Sequence, residues 1–124
     1  MILIGQESCE NDMVLDYNTT EVKPIFNCGN ETVLAYFDRC LRCIDSNCLL
    51  ENLTIVFTIN KEGVVVNPVV LPKEKDCLGY KEYKESISSV IMNMPKWQPG
   101  MSRGDKVCVR YVLKIGYPPA QPKP

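Results

Sequence analysis

Apolar side chains recur at three- and four-residue spacing in two segments of the chain, and this spacing predicts two helices. The first helix runs from about Glu31 to Arg42, with Asn30 as its N-cap. The second runs from Tyr80 to Met94, and Pro95 ends it. The predicted buried stripes are Val33, Leu34, Phe37, Leu41 and Ile44 on the first helix, and Tyr80, Tyr83, Ile87, Val90, Ile91 and Met94 on the second.

Three further segments alternate apolar and polar residues, which predicts half-buried strands. The first runs from Leu53 to Ile59, and a hairpin turn closed by Gly63 connects it to a second strand ending near Leu71. Pro68 lies inside that second strand and removes a backbone donor, so it predicts an edge position or a bulge. The third strand has Val107, Val109, Tyr111, Leu113 and Ile115 on a core face, and Lys106, Cys108, Arg110, Val112 and Lys114 on a wetter face.

The order helix, strand, strand, helix, strand predicts an α+β fold. The simplest arrangement that buries all five apolar faces is a two-layer sandwich, with both helices on one face of a three-stranded antiparallel sheet. We expect this domain to span residues 22–116. Residues 1–21 are polar and irregular, and we expect them to be an extended lead-in or signal remnant that a disulfide through Cys9 attaches to the domain. Residues 117–124 are rich in proline and predict a disordered tail.

Composition removes several classes of function. The chain has a net charge of −1, so it lacks the strongly basic face typical of nucleic-acid binding. It contains no histidine, which removes the commonest general base and the commonest zinc ligand. No apolar run approaches the roughly 20 residues that span a bilayer. We therefore expect no enzyme activity, no cofactor, no metal site, no nucleic-acid partner and no membrane span in this chain.

Seven cysteines in 124 residues predict an oxidising, extracytoplasmic compartment and a disulfide framework. The number is odd, so at least one thiol is left over, and the connectivity stays open. Cys40, Cys43 and Cys48 also allow a small metal or redox protein. Structural disulfides are the favoured interpretation, because there is only one Cys-x-x-Cys pair and it lies near the end of a helix.

Three motifs resemble the TonB C-terminal domain as it occurs in Bacteroidetes-type proteins, over roughly residues 22–115. Val22 to Gly29 loosely matches the Val-Lys-Pro-x-Phe-x-Gly-Gly stretch that precedes the first helix. Phe57 to Val65 matches a hairpin of the form Phe-x-Ile-x-Lys-x-Gly-x-Val. The most specific motif is Met-Pro-x-Trp-x-Pro-Gly at Met94 to Gly100, followed by the turn Gly104 to Val107.

The resemblance implies a periplasmic module that recognises a partner by strand addition. The exposed edge of the last strand would pair with an extended segment, such as the TonB box of an outer-membrane receptor. Self-association as a homodimer would instead block this edge, and it is an expectation of the alternative in which the edge is unused. Trp97 is expected to pack against the core, and Pro99-Gly100 to set the turn before the last strand. The implied partner-binding residues are Lys106, Val107, Cys108, Val109, Arg110, Tyr111, Val112 and Lys114.

The chain also departs from the family. Energy transducers of this family carry an inner-membrane helix and a proline-rich spacer before the domain, and this sequence shows neither. The stretch Cys40 to Cys48 replaces the family's Tyr-Pro-x-x-Ala run. An alternative is therefore a secreted, disulfide-stabilised structural or regulatory domain with no role in energy transduction.

Overall fold

Short strands and two helices alternate along the part of the chain that the structure describes. In this computed structural model these are residues 9, 13–26, 31–41, 44 and 52–116. A 3-10 turn at Tyr17–Thr19 follows the first strand. In chain order the elements are β1 (Val14–Asp16), β2 (Ile25–Phe26), α1 (Val33–Leu41), β3 (Asn52–Ile59), β4 (Val65–Leu71), α2 (Tyr80–Met92), β5 (Trp97–Gln98), β6 (Gly100–Ser102) and β7 (Asp105–Gly116).

The main sheet has five strands and mixed direction. Its spatial order is β1-β7-β3-β4, and β6 pairs with β7 as a hairpin. β3 is antiparallel to both β4 and β7, whereas β1 is parallel to β7. β2 and β5 form a separate two-stranded antiparallel sheet.

The predicted three-stranded antiparallel sheet is therefore wrong, although the α+β class and the two helices are present. The three predicted strands are present as β3, β4 and β7, with β7 and β3 inside the sheet and β4 at one end. The additional strands come from the lead-in, from the stretch before α1 and from the segment 97–102, and they are only two or three residues long. Segments of that length contain too few residues to show an alternating pattern, so pairing with neighbours decides their structure.

Helix α1 begins two residues later than predicted. The Thr32 hydroxyl accepts a hydrogen bond from the backbone N–H of Ala35 at 3.1 Å, so Thr32 is the N-cap. The predicted cap, Asn30, lies outside the described residues. The buried side chains include Tyr36, whereas Leu34 is 54% exposed and was wrongly assigned to the stripe. The Tyr36 hydroxyl donates to the carbonyl oxygen of Val90 at 2.9 Å and so links α1 to α2.

Both helices and the sheet share one hydrophobic core. The α2 stripe is confirmed at Tyr80, Tyr83, Ile87 and Ile91, all of which are buried. The helix ends at Met92, two residues before the predicted end at Met94, and so ahead of Pro95. The alternation of β3 is also confirmed, because its four core-facing side chains are at most 2% exposed; they are Leu53, Ile55, Phe57 and Ile59.

Strand β4 lies at one end of the sheet order, in agreement with the presence of Pro68. Its register with β3 shifts between Val56 and Thr58, and Asn67 has φ 55° at the same place. A bulge next to a proline twists an edge strand and removes a backbone donor, which discourages pairing with another chain. This edge of the sheet is therefore protected.

A disulfide joins Cys9 to Cys108, and both residues are buried. It attaches the lead-in to β7 across a sequence separation of 99 residues, as the predicted staple through Cys9 requires. Cys77 is also disulfide-bonded, and Cys40 is a free thiol. Cys43 and Cys48 lie outside the described residues.

Candidate partner-binding edge of the last strand

Strand β7 changes partners along its twelve residues. Residues 105–107 pair with β6, and residues 108–110 pair with β1. Residues 109–116 pair with β3 on the opposite side from β1. Beyond Arg110, β7 has no second strand partner within the described part of the chain. One side of this strand is therefore left without a ladder at its C-terminal end.

The predicted partner-binding residues fall into three groups along β7. Members of the first group face β6, members of the second face β1, and members of the third pair with β3 alone. Only the third group lies where an added strand would meet no strand already in place. In chain order the groups are Lys106 and Val107; Cys108, Val109 and Arg110; and Tyr111, Val112 and Lys114.

The ring of Tyr17 covers β7 at Tyr111. The two ring centroids are 4.8 Å apart at an interplanar angle of 74°, an edge-to-face contact. Burial, and in second place the charge of Tyr17, raises the pKa of the Tyr111 phenol. The strand without a second partner therefore begins at Val112, and we call residues 112–116 the open edge.

The two faces of the open edge differ in character. Leu113 and Ile115 pair with core-facing residues of β3, so they lie on the helix side of the sheet, where both are half-buried. Val112 and Lys114 point to the opposite face and are exposed. The predicted core face and wetter face are confirmed over residues 112–115, whereas Cys108, which was assigned to the wetter face, is buried by its disulfide to Cys9.

A groove of about 460 Å³ lies on the helix side of β7. Tyr111 and Leu113 form its β7 wall, and Ile25 and Leu34 contribute apolar side chains that are 55% and 54% exposed. Its other lining residues include Tyr17, Phe26 and Trp97. We call it the aromatic groove, and it explains why Leu34 is absent from the core.

Trp97 lies at the base of the aromatic groove and is 4% exposed. Its ring centroid is 5.3 Å from that of Phe26, 5.9 Å from that of Phe57 and 5.4 Å from that of Tyr111. The indole Nε1 has no hydrogen-bond acceptor among the residues that the structure describes. Its packing against three aromatic rings agrees with the packing role predicted for it.

The start of β7 is fixed by a two-residue hairpin rather than by Pro99-Gly100. Gly100 lies in β6, and the chain reverses at Arg103 and Gly104, which have φ values of 55° and 83°. Positive φ at both central residues is the geometry of the tight hairpin turns that match strand twist. The carboxylate of Glu21 accepts the Arg103 backbone N–H at 2.8 Å and so holds the turn against the lead-in.

The ion pair on the face of the sheet opposite the helices is weak. Arg110 and Asp16 are neighbours in the β1–β7 register, with their charged atoms 3.8 Å apart and both side chains at least half exposed. A solvated pair of this kind contributes about 0–1 kcal/mol to stability. The pair shows which charges meet between β1 and β7, and it contributes little to stability.

A second depression of about 1060 Å³ lies between β4 and the start of α2. Four lysines and three glutamates line it, so its charges nearly cancel. Lys84 donates from its ammonium group to the carbonyl oxygen of Lys73, and the Tyr80 hydroxyl donates to that of Pro72. These contacts connect the loop to the helix and leave no convergent set of polar groups.

Over the residues that the structure describes, no group of three or more acidic, cysteine or histidine side chains is placed to hold a metal ion. Within the same residues, neither helix has the length and apolar character needed to cross a membrane. Sequence reasoning missed Tyr17, Ile25 and Leu34 as groove residues. The only sign of the groove in the sequence was that the predicted apolar stripe of α1, which includes Leu34, is wider than the face that one helix buries.

No family model matches the chain, and no curated protein matches it. The resemblance to the TonB C-terminal domain therefore rests on the three motifs in the sequence.

Proposed function

We propose that this protein is an extracytoplasmic protein-binding module that accepts an extended segment of a partner as a further strand on the open edge of β7. The observation that carries the proposal is the length of β7. It continues from Val112 to Gly116 with β3 on one side and no described strand on the other. Unpaired backbone N–H and C=O groups on such an edge are a template for another chain.

The contrast between the two ends of the sheet supports this function. β4 carries a bulge, Asn67 at positive φ and Pro68, all of which oppose strand addition. The open edge contains neither a proline nor a register shift in its pairing with β3. Lys114 is its only charged residue. Within the described residues, protection is concentrated on the β4 edge, and no strand covers the end of β7 on its second side.

The aromatic groove supports the same function. In strand addition, main-chain hydrogen bonds give affinity, and pockets for alternate side chains give selectivity. A strand on the open edge would direct every second side chain to the helix side, where Leu113 and Leu34 border the groove. Resemblance to the TonB family suggests an outer-membrane receptor segment as the partner, and the Cys9–Cys108 disulfide fits an oxidising compartment.

The alternative is a secreted structural or regulatory domain whose edge is not used for partners. The observation that favours it is the cover over the first part of β7, where β1, Tyr17 and the disulfide at Cys108 already occupy the strand. A self-associating pair of chains would use the remaining edge. This alternative predicts that no extended peptide binds to residues 112–116.

The test is a titration of the oxidised, isotope-labelled full chain with extended peptides from receptor N-termini, followed by backbone amide shifts. We expect shifts at residues 112–116 and none along β4. Two versions of each peptide, N-methylated at alternate residues, sharpen the test. An added strand directs only every second N–H toward β7, so one version should lose binding and the other should keep it.

Equal binding of the two N-methylated versions would rule out strand addition, because that mode depends on which alternate residues carry the methyl groups. Shifts confined to residues other than 112–116 would also reject the open edge as the site. A shift in sedimentation toward a dimer, with no peptide effect, would support the alternative.

A further inference from the structure

Strand β1 already lies against β7 on the side where the open edge is free. Leu15 pairs with the buried Val109, so this part of β1 is apolar on the helix side. Asp16 pairs with Arg110 on the opposite face, with the carboxylate 3.8 Å from the guanidinium. β1 is therefore apolar toward the helices at Leu15, and on the opposite face it places one acidic residue beside a basic residue of β7.

The open edge repeats the pattern that β1 meets. Leu113 lies on the helix side beside the aromatic groove, as Val109 lies on the helix side opposite Leu15. Lys114 lies on the opposite face, four residues after Arg110, and is exposed. No carboxylate of the described residues is within ion-pair distance of Lys114. Arg110 therefore has an acidic neighbour in Asp16, whereas Lys114 has none among the described residues.

We infer that the segment accepted by the open edge alternates apolar and acidic residues, with an acidic residue opposite Lys114 and apolar residues facing Leu113 and Ile115. This inference rests on the proposed function and names the chemistry of the partner at the same edge. Its occupant is an extended acidic-apolar peptide segment of another protein.

Physical reasons disfavour other patterns. A basic residue opposite Lys114 would place like charges across a strand pair, which is destabilising. A segment with polar residues on the helix side would bring them against the apolar side chains of Ile25, Leu34 and Leu113. The one carboxylate that lines the groove within the described part of the chain, that of Glu31, already forms an ion pair. A segment with its charges in one block would place some of them over the groove.

Three synthetic peptides test the pattern against the oxidised full chain. The first alternates valine and glutamate, the second has the same composition in two blocks, and the third alternates valine and lysine. Trp97 is the only tryptophan, so its fluorescence reports on the groove, and amide shifts report on residues 112–116. The net charge of −1 slightly favours the basic peptide, so tighter binding of the acidic peptide would reflect a local effect.

We expect the alternating acidic peptide to bind most tightly and to perturb both signals. Lys114→Glu should reverse the preference between acidic and basic peptides, by roughly 1.4-fold to fivefold for each, the range for one cross-strand charge pair. Lys75→Glu is the matched control, since it makes the same change of net charge at an exposed residue in the loop before α2. It should leave the preference unchanged.

The outcomes separate the inference from the function on which it rests. If peptides shift residues 112–116 but the acidic and basic versions bind equally, or Lys114→Glu and Lys75→Glu act alike, the pattern is wrong and strand addition stands. If the block peptide equals the alternating one, the pattern is also wrong. If no peptide shifts residues 112–116, both proposals fail.

Discussion

The backbone of Gly63 is in direct contact with the backbone of Trp97. The N–H of Trp97 donates to the carbonyl oxygen of Gly63 at 2.8 Å. The Cα of Gly63 also faces the Trp97 carbonyl so closely that a Cβ there would lie 2.0 Å from its oxygen. Two of the three motifs that resemble the TonB family, the hairpin and the tryptophan segment, are thus joined through a position that only glycine fits.

This contact predicts that Gly63→Ala strongly destabilises the protein. Gly63 has φ 86°, which already disfavours alanine, and the clash is with backbone that cannot rotate away. Together, the positive φ and the steric overlap should lower the free energy of unfolding by at least about 2 kcal/mol. Urea denaturation followed by far-UV circular dichroism measures the loss.

Gly79→Ala is the matched control for the clash. Gly79 has φ 85°, nearly the same conformation, but a Cβ there meets nothing within 4 Å. Its substitution should cost only about 1 kcal/mol, the conformational cost for an alanine at positive φ. Equal losses for the two variants would contradict the importance of the Gly63–Trp97 contact.

Trp97 should contribute through packing and not through its indole N–H. Trp97→Ala removes contacts with three aromatic rings and should cost about 3–5 kcal/mol. Trp97→Phe keeps one aromatic ring in this cluster and loses an N–H that has no acceptor among the described residues, so only the lost ring volume should count and the cost should be smaller. Circular dichroism melts of both variants check this, and losses of similar size would contradict the prediction that a retained ring preserves most of the packing.

The disulfide between Cys9 and Cys108 should stabilise the domain by about 2–4 kcal/mol, since it closes a long loop of the unfolded chain. Replacing both residues with alanine should lower the urea midpoint and reduce hydrogen-exchange protection along β1. Cys40→Ala is the control, because Cys40 is a free thiol, and it should cost about 1 kcal/mol or less. An unchanged midpoint in the double variant would exclude a stabilising role.

Stability should fall at alkaline pH because burial raises the pKa of Tyr111 above its ordinary value of 10.0. Below about pH 10 the phenol is protonated in both states, so its contribution to stability is fully present. Above that, the unfolded state loses the proton first, and the contribution is lost as the pH rises through the folded pKa. Burial has the same effect on Tyr80.

Tyr111→Phe should therefore reduce the fall in the urea midpoint between pH 9 and pH 11. Tyr17→Phe should reduce it less, because Tyr17 is the second cause of the shift and burial is the first. A decline of unchanged steepness in Tyr111→Phe would contradict the assignment.

Residues whose pattern extends over a whole element were predicted correctly, for a physical reason. The alternation along β3 and the apolar stripe of α2 each arise because one face of the element packs against the hydrophobic core along its whole length. Pro68 marks an edge strand because proline has no backbone N–H to donate to a neighbouring strand. In contrast, the helical repeat alone does not decide whether Leu34 or Tyr36 is buried. Tyr36 is buried because its hydroxyl reaches the Val90 carbonyl, a contact 54 residues away in sequence.

The pairing of β1 with β7 was not predictable from local sequence. Val14–Asp16 contains only three residues, and its parallel neighbour lies more than 90 positions further along the chain. This pairing decides how much of the last strand is accessible. The sequence therefore predicted a docking strand of Lys106–Lys114, whereas β6 and β1 occupy its first half and leave residues 112–116.

The Cys9–Cys108 bond also determines how the domain would carry a mechanical load. Tension applied at Cys9 passes through one covalent bond into β7, the strand that contains the open edge. A partner strand on residues 112–116 would receive that tension as shear along β7. The helices and the β3–β4 hairpin lie outside this path, so they could remain folded while the docked segment is pulled.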